Sequence, residues 1–342
     1  MAYPILANED VRDDMLTFTL KNTDVSIANA LRRTILGNIR AVVIAKTDCM
    51  ITVNTTRFNN EILKQRFACL PICLSPNEEE IKTFTLELNK SNSTSATVMV
   101  TTEDFKIIEN GKPSSKRLFL PDPMTNQYID ILRLRPKMGN VVESIQMTAI
   151  LSITTGSQTG TANMGNCFYK YTINHEKAEQ EWAKKGNDDK HAKKDWDLLD
   201  AKRFVIPTSF DFTVESYVTA IYSPTQLIQI ACKVIEKELL MFSEHSLQIQ
   251  PSETTMEKCV DLILHNCDYT IGKTLEYYLF TTKFNIDITY ITFLKNHPHD
   301  KHGILRIAFK EDQTEETITA MFSEACKESI KYFNVGKELK SK

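Results

Sequence analysis

Leu20-Lys-Asn22-Thr-Asp24-Val-Ser26-Ile27-Ala28-Asn29-Ala-Leu31-Arg32-Arg33-Thr-Ile35-Leu36 decides the reading of this chain, because it has an echo 244 positions later: Leu264-His-Asn266-Cys-Asp268-Tyr-Thr270-Ile271-Gly272-Lys273-Thr-Leu275-Glu276-Tyr277-Tyr278-Leu279-Phe280. Under that one offset Leu20, Asn22, Asp24, Ile27 and Leu31 fall on Leu264, Asn266, Asp268, Ile271 and Leu275, with Ser26 on Thr270 and Ile35 on Leu279. Each copy follows a run with strand character, passes through a turn containing Asn and Asp, and opens into helical spacing, so one supersecondary unit is expected twice. Two such units on one chain can pair with each other.

Working outward from the first copy, Leu16, Phe18 and Leu20 alternate with Thr17 and Thr19, the pattern of a half-buried strand. Asp24 is placed to cap a helix with the stripe Ile27, Ala28, Leu31 and Ile35, and Gly37 is its stop. Ala41 to Ala45 and Cys49 to Val53 read as extended, and Glu61 to Phe67 as a short helix ended at Leu70-Pro71. From about Ser75 polar loops separate short strands, which suggests a mostly β insert subdomain over 75–204. Its far end carries a Gly-containing loop, Thr154 to Asn166, and a Lys-, Asp- and Glu-rich surface excursion, 175–202.

Order resumes with the alternating strand Phe210, Phe212, Val214, followed by Ser223-Pro224 as cap and first-turn proline of a long helix. Ile228, Cys232, Ile235, Leu239 and Phe242 form its stripe. Around the second copy, Val260, Leu262 and Leu264 give a strand, and Ile271, Leu275, Tyr278 and Leu279 a helix. Strands near Ile286 to Leu294 and Ile304 to Phe309 follow, then a last helix after Thr314 with Ile318, Phe322, Ala325 and Phe333. The fold class expected is therefore α+β: a first module over 1–74 and 205–243, interrupted by the insert, and a second over 244–342.

The 342 residues exceed the usual single-core size, and a 42% hydrophobic, 25% charged composition is that of an ordinary globular protein. A formal net charge of -3 argues against a large uniform basic face, and so against a dedicated DNA-binding module with strongly salt-dependent affinity. The eight cysteines stand at 49, 69, 73, 167, 232, 259, 267 and 326, with no Cys-x-x-Cys pair. That disfavours a zinc ribbon or a disulfide framework and favours a reducing compartment. No signal peptide is expected at Met1 to Asp10, and no apolar run approaches a membrane span.

An alternative reading is a metal- or nucleotide-dependent enzyme that uses the His297, His299 and His302 cluster or the Gly156 to Gly165 loop. Gly272-Lys273-Thr274 resembles the end of a phosphate loop, but the glycine needed at 267 is Cys and the triplet lies in an amphipathic helix. His297, His299 and His302 are close in sequence, though Pro298 and Gly303 give them a turn-like setting. Gly156, Gly160 and Gly165 lack the dinucleotide spacing, so a flexible loop is the plain expectation. Arg32-Arg33 matters more, since the second copy has Glu276-Tyr277 there and adjacent arginines can fork onto a partner's acceptors.

The first copy, with Val53 to Pro71 and Phe210-Asp-Phe-Thr-Val-Glu215, resembles the alpha motif of multisubunit DNA-directed RNA polymerases, and Ile131 to Pro136 through Gly165 sit where that family carries its insert domain. Asn266-Cys-Asp268-Tyr-Thr270-Ile-Gly272-Lys-Thr-Leu275, with His297-Pro298 and Ile304-Leu-Arg306-Ile, resembles the smaller alpha-like subunit of archaeal and eukaryotic enzymes. Tyr269 and Lys273 depart from that subunit's signature, and the cysteine-bearing metal loop of some larger alpha-like subunits has no counterpart.

The resemblance implies a fusion of the two subunits as found in large DNA viruses: a non-catalytic assembly platform without cofactor or metal, folded as an internal pseudo-dimer. It implies intramolecular pairing through Ile27, Leu31, Ile35, Ile228, Ile235, Leu239, Ile271, Leu275, Leu279, Ile318, Phe322 and Ala325, across a short flexible link at Ser243 to Ser252. Asn29, Arg32 and Arg33 are the expected contacts to the second-largest subunit; the largest subunit and small assembly subunits are further partners, nucleic acid is met only through the complex, and no membrane is involved. The setting implied is intracellular: virion and host cytoplasm, with the nucleus possible.

Overall fold

The computed structural model describes residues 3–12, 14–186 and 189–339. Of the stretches read above, residues 1–2, 13, 187–188 and 340–342 lie outside the described residues. The fold is mixed α and β with several sheets.

In chain order, strands β1 (Ile5–Arg12) and β2 (Met15–Lys21) lead into helix α1 (Val25–Gly37). Next come β3 (Arg40–Val43), β4 (Cys49–Asn54), α2 (Asn60–Ala68), α3 (Glu78–Ile81), β5 (Phe84–Asn92), β6 (Val98–Thr101), β7 (Phe105–Glu109) and β8 (Lys112–Pro113). They are followed by β9 (Asp130–Leu134), β10 (Glu143–Ile150), β11 (Ser152–Thr155), α4 (Gly156–Thr159) and β12 (Gly165–Ile173). Helices α5 (His175–Lys184) and α6 (Lys190–Leu198) precede β13 (Val205–Ser216) and α7 (Pro224–Glu244). The remainder is β14 (Gln248–Pro251), β15 (Cys259–His265), α8 (Tyr269–Lys283), β16 (Ile288–Leu294), β17 (His302–Phe309), α9 (Glu315–Ser329) and, after the turn Ile330–Phe333, α10 (Val335–Glu338).

The chain divides into two compact units. One comprises residues 1–35, 167–215 and 224–342; the other comprises 36–166 and 216–223. Residues 36–74 thus belong to the second unit and the charged stretch 175–202 to the first.

The first unit holds two four-stranded sheets of like order, β1-β2-β13-β12 and β14-β15-β17-β16, with β1/β2, β2/β13, β14/β15, β15/β17 and β16/β17 paired antiparallel. Each begins with a hairpin, β1 against β2 and β14 against β15, whose second strand leads into α1 or α8. The entries match residue for residue. Asn22 (φ 56°) and Asn266 (φ 55°) take the left-handed conformation that asparagine tolerates better than other non-glycine residues. Two residues on, Asp24 Oδ1 accepts the N–H of Ser26 at 2.8 Å and Asp268 Oδ1 that of Thr270 at 2.7 Å, so each helix starts on an aspartate cap. Phe18 stacks on Phe212 across β2 and β13, ring centroids 5.0 Å apart.

Gly272 has a packing reason of its own. A Cβ there would stand 2.3 Å from the ring of Phe293, and one at Gly303 would stand 2.2 Å from it. Phe293 of β16 therefore fills space that two glycines leave between α8 and the sheet, which accounts for the glycine of Gly272-Lys273-Thr274 without a phosphate. Lys273 donates to Glu276 at 2.6 Å.

The charged stretch folds over its described residues. Asn174 and Asp189 cap α5 and α6, and a small cluster of Ala178, Trp196 and Ala201, with Trp182 and Phe204 against it, holds the helices together. Lys185 lies 4.0 Å over the Trp196 ring. The expected link Ser243 to Ser252 is largely structured: α7 runs to Glu244 and β14 opens at Gln248, leaving His245, Ser246 and Leu247 as the connection. Phe333, expected on the last helix, lies in the turn beyond it.

In the second unit a five-stranded sheet, ordered β4-β10-β5-β7-β8, buries Phe84, Leu86 and Ile145 with Leu63 and Phe67 of α2. Glu143 is buried there and held by Arg135, whose backbone N–H and Nε donate at 2.6 and 2.5 Å. Where a flexible loop was expected from Thr154, β11 pairs with β3 and the short α4 follows, closed by Gly160 at φ 70°. Gly156 is needed because a Cβ would meet the Ala162 carbonyl oxygen at 2.7 Å.

Candidate functional site

The twelve apolar positions singled out on the four long helices are all buried: Ile27, Leu31 and Ile35 on α1, Ile228, Ile235 and Leu239 on α7, Ile271, Leu275 and Leu279 on α8, and Ile318, Phe322 and Ala325 on α9. Helices α7, α8 and α9 pack on one another within the first unit. Burying each of the Ile, Leu and Phe side chains among them contributes roughly 1.5–3 kcal/mol relative to exposure.

Asn29, Arg32 and Arg33 are each half-buried. Arg33 does not extend away from the chain as its place beside Arg32 suggested. Its Nη2 donates to Asp268 Oδ2 at 2.9 Å and its Nε to Thr270 Oγ1 at 3.1 Å, so it grips the cap of α8. Burial works against the Asp268 carboxylate, but hydrogen bonds from Arg33 and Thr270 and the Arg33 charge outweigh it and hold the carboxyl below its usual range.

In the reverse direction the link is one of charge. Tyr277 stands at the Arg33 position of the second copy, and its phenol is pushed up by burial and by the negative charge of Asp24, the cap of α1. A guanidinium reaches one cap, and a phenol comes within the field of the other.

Arg32 bends back on its own helix, donating through Nε and Nη2 to Asn29 Oδ1 at 3.0 and 2.9 Å. Its charge is felt by Cys167 and Tyr169 of β12, whose protons burial otherwise retains; Cys167 is pushed up to about 12. At the equivalent place Glu276 accepts from Lys273 and from the Phe293 backbone N–H, each at 2.6 Å. Both helices thus spend the same two positions on an i,i+3 pair over the outer strand of their sheet. The partners missed from sequence are Asp268, Thr270, Tyr277 and Phe293; the repeat offset was the signal that could have linked the first three.

The three histidines of the alternative close a turn and open a strand. His297 Nδ1 accepts the backbone N–H of His299 at 3.1 Å, and Asp300 accepts that of His297 at 2.8 Å, so the cluster closes a turn. His302 lies at the start of β17. Among the described residues no three His, Cys, Asp or Glu side chains are arranged to hold a metal ion. All eight cysteines are free thiols; burial pushes Cys49 up to about 11 and Cys232 and Cys326 up to about 12, while Cys69 is exposed.

A profile of the RNA polymerase Rpb3/Rpb11 dimerisation domain matches residues 17–239, from β2 through most of α7 and more than half of the chain. The chain belongs to that family. Two Arabidopsis thaliana proteins are similar over a shorter stretch: DNA-directed RNA polymerases IV and V subunit 3B, and DNA-directed RNA polymerases II, IV and V subunit 3. Each is 34% identical over 70 residues, 20% of this chain and 21% of the relative. The match therefore spans about a fifth of the length of these curated relatives.

Proposed function

We propose that this chain is a non-catalytic assembly subunit of a DNA-directed RNA polymerase, in which a larger and a smaller alpha-like subunit are fused on one polypeptide and pair as an internal pseudo-dimer. The observation that carries the reading is the Rpb3/Rpb11 dimerisation-domain match over residues 17–239. It is supported by the repeated sheet order and by the hydrogen bond from Arg33 of the first copy to the Asp268 cap of the second. In this reading residues 1–74 and 205–243 form the first module, 75–204 its insert, and 244–342 the second module. The α1 and α8 faces around Asn29 with Arg32 and around Lys273 with Glu276 differ in charge, so each docks a different large subunit.

The second-largest subunit is assigned to the α1 face, with the largest subunit and small assembly subunits completing the complex. A large DNA virus is the source we propose, and the virion and host-cell cytoplasm the setting, with the nucleus possible. Co-expression with the two largest subunits of the same polymerase is the test. Expected are a stoichiometric complex and transcription that depends on this chain, with no polymerisation by the chain alone. Asn29→Ala with Arg32→Ala should weaken capture of the second-largest subunit by about tenfold, or 1.4 kcal/mol. A chain that assembles with neither large subunit overturns the reading.

A further inference from the structure

Two corresponding ends of the first unit are finished differently. After α9 the chain turns at Ile330–Phe333 and continues as α10, which folds back over α7 and β1. Gly336 lies so close to α7 that a Cβ would stand 2.8 Å from Cys232 Sγ, and Gln229 donates to the Leu339 carbonyl at 2.9 Å. Tyr332, Phe333, Val335 and Leu339 are all buried by this cover, with Tyr332 5.9 Å from Tyr3 and 5.7 Å from Tyr277, ring centroid to centroid.

After α7, by contrast, the chain enters β14 within three residues, so none is left to fold back. The two ends do correspond: Ser323 of α9 donates to the Ser243 carbonyl near the end of α7 at 3.3 Å, as Cys232 of α7 meets Gly336 beyond the end of α9. Leu247, moreover, follows Tyr3 by the repeat offset of 244. At the uncovered end lies a groove of about 520 Å³ walled by Met241, Phe242, Leu247 and Ile263 over the buried Leu264 and Phe322, with Glu238, His245, Ser246, His265 and Asn266 completing the lining. Met241 is 49% exposed there.

We propose that this groove docks an apolar helical turn of another polymerase subunit, an aromatic- or leucine-bearing segment of the kind that Tyr332 to Leu339 supplies at the corresponding end. The inference rests on the polymerase reading. Its physical basis is that joining α7 to β14 removes the residues that would cover the second end, leaving apolar surface that binding in trans removes from water. The occupant is a polypeptide rather than a small molecule, because its counterpart is a folded segment held by packing plus one backbone acceptor.

Peroxide footprinting of Met241, read by mass spectrometry against a free methionine peptide, tests this on the wild-type chain alone and in the reconstituted polymerase. Oxidation of an exposed methionine follows its access to solvent, so assembly should slow it by about fivefold or more. In parallel, Met241→Asp in the full chain should weaken retention of one subunit by about tenfold while the melting temperature stays within about 1 °C. If the variant misfolds, the wild-type footprint still decides. An intact complex in which Met241 oxidises at the free-chain rate overturns the proposal and leaves the polymerase reading standing. Protection that grows with concentration in the chain alone, together with a dimer in sedimentation, seats a second copy there and also overturns it. Failure to assemble with either large subunit removes both.

Discussion

Helices α1 and α8 enter alike and leave differently. Both follow a left-handed asparagine and an aspartate cap, and both bury the same stripe. Other positions have diverged: Ala28 against Gly272, Arg32 against Glu276, Arg33 against Tyr277. The shared residues are those that start a helix and seat it on a sheet. The divergent ones meet different neighbours on the two sides: Gly272 the Phe293 ring, and Arg33 the carboxylate of the Asp268 cap.

The comparison is broken most severely at the shared stripe. Leu31→Ala and Leu275→Ala, each removing a buried side chain at an equivalent position, should each cost about 2–5 kcal/mol by chemical denaturation. A loss below about 1 kcal/mol at Leu275 would mean that the second helix is not seated as the first is. Next in size is Gly272→Ala, for which overpacking against Phe293 should cost about 1–3 kcal/mol. Phe293→Leu combined with it should recover part of that loss, and simple additivity of the two would separate the glycine from the ring.

A smaller effect isolates the cap. Asp268→Asn keeps a capping oxygen but removes the charge that Arg33 holds, so it should destabilise by about 1 kcal/mol more than Asp24→Asn, a modest figure for a pair that is about 40% exposed. Because the Asp268 carboxyl lies below its usual range when folded, its contribution is complete above the unfolded carboxylate pKa and is lost as pH falls through the folded one. The melting difference between wild type and Asp268→Asn should therefore be full at neutral pH and close in strong acid; a gap that persists there would assign the loss to packing. Smallest is Arg32→Ala, which replaces a local pair with Asn29 and should leave stability within about 0.5 kcal/mol.

How much of this was legible follows from what each element buries. Strands β2, β13 and β15 and helices α1, α7, α8 and α9 each present a continuous apolar stripe, and their residues announced them. Strands β1, β12 and β14 lie at sheet edges, where polar and exposed side chains leave no alternation to read, as in Ile5-Leu-Ala-Asn-Glu-Asp-Val-Arg12. The glycines at 156 and 272 were visible but their neighbours were not, since Ala162 and Phe293 come close only in space. Arg33 is legible as an odd residue of the repeat, yet its acceptor sits 235 positions away and no periodicity reports such a pairing.

The three-residue step from α7 to β14 has a consequence for how the fold is lost. Where two separate chains supply the paired helices, dilution pulls them apart and melting depends on concentration. Here the helices on either side of that step share one covalent backbone. Their separation is a unimolecular event, so dilution alone leaves them together.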